Sequence, residues 1–130
     1  MQYYYAVVHK DEDSAWGVQF PDVAGCFSAA DDMQDIVPNA VEALTLYFED
    51  VDPPVARGLD QVRDAAAEDL AEGAFLVMVP YIRNSGKLTK VNLSMDRAMV
   101  DAIDDAAAMR KLTRSAFLAQ AARNEIEGRH

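Results

Sequence analysis

A short stretch near the C-terminal end of the chain alternates apolar and polar residues, and only helical patterns follow it. In this stretch, Lys90–Met95, one face carries Val91, Leu93 and Met95, and the other carries Lys90, Asn92 and Ser94. Such alternation is typical of a β-strand with one buried face. A lone strand leaves its backbone N–H and C=O groups unpaired and is not stable. The economical partner is the same strand of a second chain, so the stretch predicts a homodimer.

The predicted two-stranded ribbon turns its polar face outward. A ribbon of this kind fits the major groove of B-form DNA, where asparagine pairs with adenine and lysine donates to guanine. We therefore expect Lys90, Asn92 and Ser94 to contact bases. Two helices are predicted after the ribbon, over about 96–109 and 114–126, from apolar residues at helical spacing. The dimer core is expected to contain four apolar side chains: Val91, Leu93, Ile103 and Phe117.

The turn between the two predicted helices carries the sequence Thr113-Arg114-Ser115. Thr113 is placed to cap the second helix. Backbone amides at a helix start can hold a phosphate, and Arg114 adds positive charge there. We therefore expect Thr113, Arg114 and Ser115 to contact DNA phosphates. In its order, spacing and turn, this segment resembles the ribbon-helix-helix family of dimeric DNA-binding domains. A helical hairpin with an incidental strand is the alternative.

The charge of the chain changes sign near residue 83. Residues 1–82 hold sixteen Asp and Glu against three Lys and Arg, a net charge of −13, whereas residues 83–130 carry +3. The sequence Asn84-Ser85-Gly86 at this point is typical of a hinge, so we predict one domain over 1–82 and a second over 87–130. An acidic domain suits a basic protein surface, and a basic domain suits phosphate. Simple hydration of the surface is the alternative explanation of the acidic residues.

The first domain is predicted to be a small sheet covered by a helix. Strands are expected at Tyr3–His9, Ala15–Phe20, around Cys26–Ser28 and at Phe75–Val79. The first three lie close together, which favours an antiparallel meander. Apolar residues at helical spacing over 36–51 predict a helix that Asp32 and Asp35 cap, and an alanine-rich piece over 59–71 predicts a shorter one. The chain is thus α+β, with a β-β-β-α-β arrangement before the C-terminal strand and helices.

A recognisable motif lies in the first domain, namely Phe20-Pro21-Asp22, two residues, then Gly25-Cys26-Phe27. With the tyrosine-rich first strand and the amphipathic helix, it resembles the HicB antitoxin family, many of whose members end in a ribbon-helix-helix domain. The resemblance implies a partial RNase H-like N-terminal domain that binds and silences a HicA-like toxin, a basic RNA-cleaving protein. It also implies that the protein represses its own operon by binding operator DNA. A ribbon-helix-helix transcriptional regulator whose N-terminal domain senses a ligand or mediates assembly is the alternative.

Catalytic and metal sites are not expected. The acidic residues of the first domain lie in predicted turns and do not converge as a two-cation nuclease site requires, so we predict no catalytic residues and no enzymatic activity. His9 and His130 lack ligand spacing, which predicts no metal and no other cofactor. Cys26 has no adjacent base and is expected to be buried. Three aromatic residues are also expected in the core: Trp16, Phe20 and Phe27.

Membrane and secreted classes are also disfavoured. The chain contains no run of about 18 consecutive apolar residues, which predicts no membrane-spanning segment. Its first residues lack the basic segment and apolar run of a signal peptide, and its single cysteine cannot form an internal disulfide. We expect a cytoplasmic homodimer, with a higher oligomer left open.

Overall fold

A run of aromatic and aliphatic side chains makes the start of the chain an interior strand of a sheet. In the computed structural model, which describes residues 1–129, the strands are β1 (Gln2–His9), β2 (Trp16–Gln19), β3 (Phe27–Ala30) and β4 (Phe75–Tyr81). Their order is β3-β2-β1-β4, and every neighbouring pair is antiparallel. The predicted four-strand sheet is confirmed.

The register of the sheet follows from two pairings of β1. It pairs with β4 from Gln2 opposite Tyr81 to Val8 opposite Phe75, and with β2 from Val7 opposite Gln19 to His9 opposite Gly17. Because alternate residues of a strand face opposite sides, even-numbered residues of β1 face one layer and odd-numbered residues face the other.

Helix α1 (Ile36–Tyr47) covers the first of these faces. Its apolar side chains pack with those of the sheet in one core, whose members include Tyr4, Ala6, Val8, Val18, Ala40, Val41 and Leu44. Pro38 lies in the first turn of α1, where a missing backbone N–H disrupts no helical hydrogen bond. The predicted caps are wrong, because neither Asp32 nor Asp35 makes a side-chain cap hydrogen bond. A 3-10 turn over Met33–Asp35 leads into α1, so Asp35 already has helical dihedral angles instead of the extended ones of a capping residue.

Two short helices, α2 (Leu59–Ala65) and α3 (Ala67–Ala71), lie where one helix over 59–71 was predicted. Val62 and Ala66 are buried there, and Val7 is buried on the odd-numbered face of β1. Gln19, which pairs with Val7, donates a hydrogen bond to the Asp69 carboxylate over 3.2 Å. These helices therefore cover the second face of the sheet.

The structure divides into an N-terminal unit, Met1–Arg83, and a C-terminal unit from Asn84 onward. The C-terminal unit contains α4 (Arg97–Met109) and α5 (Arg114–Glu127). The Asp96 side chain caps α4 by accepting from the N–H of Ala98, and Gly128 ends α5 in the left-handed conformation with a φ of 76°. Ile103 and Ala107 of α4 are buried. Among residues 1–129, no helix has the length and apolar character that crossing a membrane requires.

Candidate functional site

The segment predicted to read DNA, Lys90–Met95, is neither helix nor strand in the single chain. Its polar side chains Lys90, Asn92 and Ser94 are exposed. The alternate apolar side chains are exposed as well, with Val91 68% and Leu93 63% accessible. All strands among residues 1–129 belong to the sheet of the N-terminal unit, and this segment is not paired with any of them. The strand in a dimer stays a prediction.

The other two predicted dimer-core residues lie on the helices. Ile103 is buried within the C-terminal unit, and Phe117 is half-buried. The guanidinium of Arg110 lies 5.6 Å from the centre of the Phe117 ring, within range of a cation–π contact. These two residues thus already have packing partners in one chain, unlike Val91 and Leu93.

The turn predicted to hold phosphate begins α5 as the sequence indicates. The Thr113 hydroxyl accepts a hydrogen bond from the N–H of Ala116 over 3.1 Å, which confirms the predicted cap. Ser115 is exposed beside it. Lys111, just before the turn, has a φ of 58°, a conformation that non-glycine residues adopt rarely. The start of α5 therefore presents one hydroxyl used as a cap and one exposed hydroxyl.

Arg114 is already bound to a carboxylate of the same chain. Its Nε and Nη2 atoms donate to Oδ1 and Oδ2 of Asp104 on α4, each over 2.8 Å. These hydrogen bonds from Arg114 hold the pKa of Asp104 below its ordinary value, and they raise the pKa of Arg114. Asp104 has no signal in the sequence that would mark it as the partner of Arg114, because a pair that crosses a turn follows no helical spacing.

The motif of the N-terminal unit forms the loop between β2 and β3. Asp22 is its buried acid: the side chain is 4% exposed, its Oδ2 accepts from the backbone N–H of Arg57 over 2.8 Å, and its Oδ1 pairs with the Arg57 guanidinium. Gly25 has a φ of 91°, which favours glycine. The hydroxyl of Tyr47 on α1 donates to the carbonyl of Ala24 over 2.9 Å. Contacts with Arg57 and with Tyr47 therefore fix the position of this loop.

The prediction that Phe27 of the motif lies in the core is wrong. Phe27 is 69% exposed, whereas Phe20 is buried and Trp16 is half-buried against the core. Phe27 pairs with Gln19 and therefore lies on the face of the sheet that α2 and α3 cover, but at the outermost strand. Its side chain lines a groove of about 280 Å³ between the motif loop and these helices, which we call the motif groove. Its lining includes Pro21, Cys26, Phe27, Ala65 and Asp69.

The thiol that lines the motif groove is that of Cys26. Cys26 is buried, and burial raises the pKa of its thiol, so the thiol stays protonated at neutral pH. Asp11, Asp22 and Asp31 lie in different connecting segments, and Asp22 is bound to Arg57. Within residues 1–129, no three His, Cys, Asp or Glu side chains lie together as a metal site requires. His130 lies outside the described residues.

Residues 4–122 match the family described as the HicB_like antitoxin of bacterial toxin-antitoxin systems. The chain is similar to the crystal structure of the Burkholderia pseudomallei antitoxin HicB, with 27% identity, 97% of each chain covered and a TM-score of 0.52. It is also similar to a chain of the HicA3 and HicB3 toxin-antitoxin complex, at 25% identity and a TM-score of 0.55, over 63% of this chain and 100% of that one.

A relative of similar length comes from a bacteriophage. It is an uncharacterized 14.9 kDa protein in the rep-hol intergenic region of Haemophilus phage HP1, 28% identical over 130 residues. The match covers 94% of this chain and 96% of the relative. Both chains therefore match over almost their full lengths.

Proposed function

We propose, on the premise that this chain belongs to the HicB-like antitoxin family of bacterial toxin-antitoxin systems, that it neutralises a HicA-like RNA-cleaving toxin and represses its own operon. The observation that carries the proposal is the family match over residues 4–122, which extends through both units. Toxin binding is assigned to the N-terminal unit and operator binding to the C-terminal unit. The protein acts in the cytoplasm by binding alone, without catalytic residues or a cofactor.

Charge supports the assignment of the toxin to the N-terminal unit. Residues 1–82 carry a net charge of −13, and a toxin that cleaves RNA needs a positive surface to hold phosphates. Complementary charge speeds the encounter of two such proteins and discriminates against wrong partners. We expect their association to slow as salt is added.

The motif groove is the surface that best fits this partner. It combines exposed apolar area at Phe27 with a carboxylate at Asp69. The α2–α3 region, which supplies one wall of the groove, carries four further exposed acids: Asp60, Asp64, Glu68 and Glu72. A large exposed aromatic side chain is the type of residue that anchors protein interfaces. A basic side chain of the toxin can place its apolar stem against Phe27 and its charge near Asp69.

Replacement of Phe27 tests this surface. A Phe27→Ser variant should bind the toxin encoded beside this chain's gene at least about tenfold more weakly, because an anchor residue of an interface is lost. The matched control is Leu46→Ser on α1, where an apolar side chain of similar exposure lies on the other layer. Isothermal calorimetry with purified toxin measures both. Equal affinities for the two variants would place the toxin on another surface, and no binding by the wild type would reject the toxin assignment.

The C-terminal unit is proposed to be a ribbon-helix-helix domain that dimerises, and the N-terminal unit a partial RNase H-like domain. Three features support the ribbon: the strict alternation of Lys90–Met95, the exposure of Val91 and Leu93 in one chain, and two helices joined by a capped turn. Packing the apolar face of a ribbon against the helices of a dimer removes this apolar surface from water, which is favourable. In this arrangement Lys90, Asn92 and Ser94 contact bases, while Thr113, Arg114 and Ser115 hold phosphate together with the amides that begin α5.

A variant of Asn92 tests base reading. We expect Asn92→Ala to reduce the preference for the operator over mixed-sequence DNA by a free energy of about 1–3 kcal/mol, because a bidentate contact to adenine is lost. Asn84→Ala, which removes the same side chain outside the predicted strand, should leave the preference unchanged. Fluorescence anisotropy with both duplexes gives the ratio. An unchanged ratio in a folded Asn92→Ala protein would contradict the strand assignment.

A further inference from the structure

We propose, resting on the DNA-binding function above, that Asp104 competes with DNA phosphate for Arg114. Asp104 would thereby set the strength and the salt dependence of DNA binding by the C-terminal unit. Arg114 is the first residue of α5. Among residues 1–129, Asp104 is the carboxylate that accepts hydrogen bonds from Arg114 at both of its oxygens.

In this ion pair, Asp104 occupies one edge of the Arg114 guanidinium. Nε and Nη2 of Arg114 face the two oxygens of Asp104 at equal distances of 2.8 Å, a two-pronged arrangement. A phosphate binds arginine through the same planar fork of donors. While Asp104 holds this edge, a phosphate at the start of α5 meets a guanidinium whose charge is neutralised and whose best-aligned donors are used.

The pair is nevertheless open to exchange. The side chains of Arg114 and Asp104 are 57% and 43% exposed, so water and a DNA phosphate can reach both. Exposed ion pairs stabilise a fold only weakly, which means that a phosphate carrying its own negative charge can displace the carboxylate. Asp101, one turn earlier on α4, also interacts electrostatically with Arg114 and adds negative charge near it. The affinity of Arg114 for phosphate therefore depends on the strength of its ion pair with Asp104.

An Asp104→Asn variant of the full chain tests the competition, with Asp105→Asn as the matched control. Both changes remove one negative charge from neighbouring positions of α4, but only Asp104 is hydrogen-bonded to Arg114. Binding of a labelled mixed-sequence DNA duplex is measured over a range of salt concentrations. Asp104→Asn should bind about two- to fivefold more tightly than Asp105→Asn, from the size of an exposed ion pair. Its plot of log affinity against log salt should be steeper by about 0.9 for each phosphate that Arg114 newly neutralises.

A second pair of variants separates competition from a loss of folding. In an Arg114→Met background, Asp104→Asn should have no effect beyond that of Asp105→Asn, because the target of the competition is gone. Equal affinities and slopes for Asp104→Asn and Asp105→Asn, or weaker binding by Asp104→Asn, would overturn the competition while DNA binding by the wild type stands. If neither the wild type nor any variant binds the duplex at low salt, the DNA-binding function itself is rejected.

Discussion

The motif acid Asp22 has a structural task that its neighbours in sequence do not reveal. Its buried carboxylate accepts the backbone N–H of Arg57 and pairs with the guanidinium of the same residue, 35 positions away. Asp22→Asn turns one of these two acceptors into a donor, so a buried donor stays unsatisfied and the free energy of unfolding should fall by about 1–3 kcal/mol. Urea unfolding of the full chain measures the loss. Asp50→Asn, the same change at an exposed position, is the control, and a loss no larger than the control's would contradict this task.

The contact between α4 and α5 makes the stability of this helix pair depend on pH. The pKa of Asp104 is lowered in the folded chain by hydrogen bonds from Arg114, so the pair contributes fully above the unfolded-state pKa, about 3.9. The contribution is lost as the pH falls through the lower folded-state pKa. The difference in melting temperature between the wild type and Asp104→Asn, followed by NMR signals of α5, should therefore be constant from neutral pH down to about 4.5 and shrink in stronger acid. If the difference at pH 2 is the same as at neutral pH, the ionised carboxylate of Asp104 adds no stability.

Two apolar side chains of the predicted strand, Val91 and Leu93, are exposed in the single chain. If Lys90–Met95 pairs between two chains, Leu93→Asp places a charge in the dimer core and should yield a monomer that does not bind operator DNA. Light scattering after gel filtration measures the mass, which for the wild type should be at least twice that of one chain. Leu88→Asp, at a fully exposed position outside the predicted strand, should leave the mass of the wild type unchanged. A dimeric Leu93→Asp protein would place the dimer contact elsewhere.

Local patterns in the sequence were enough for most of the secondary structure. Four signals are local: the aromatic and β-branched residues of β1, the alternation over β2, the three- and four-residue spacing in α1 and the cap at Thr113. Each depends on residues within one strand or one or two helical turns. The motif that carries the family resemblance is likewise a local feature. Such features are determined by the sequence alone because the residues that interact are close along the chain.

The tertiary structure decided what depends on residues far apart in the chain. Phe27 is an aromatic residue of the type found in protein cores. It lies on the outermost strand, paired with Gln19, and is exposed at the motif groove. The partners of Asp22 and Arg114 lie across a loop and a turn, where no periodicity relates the two residues. Alternation marks two faces of a strand but does not say which face a neighbouring element covers. That depends on the path of the chain between elements, which only the folded structure fixes.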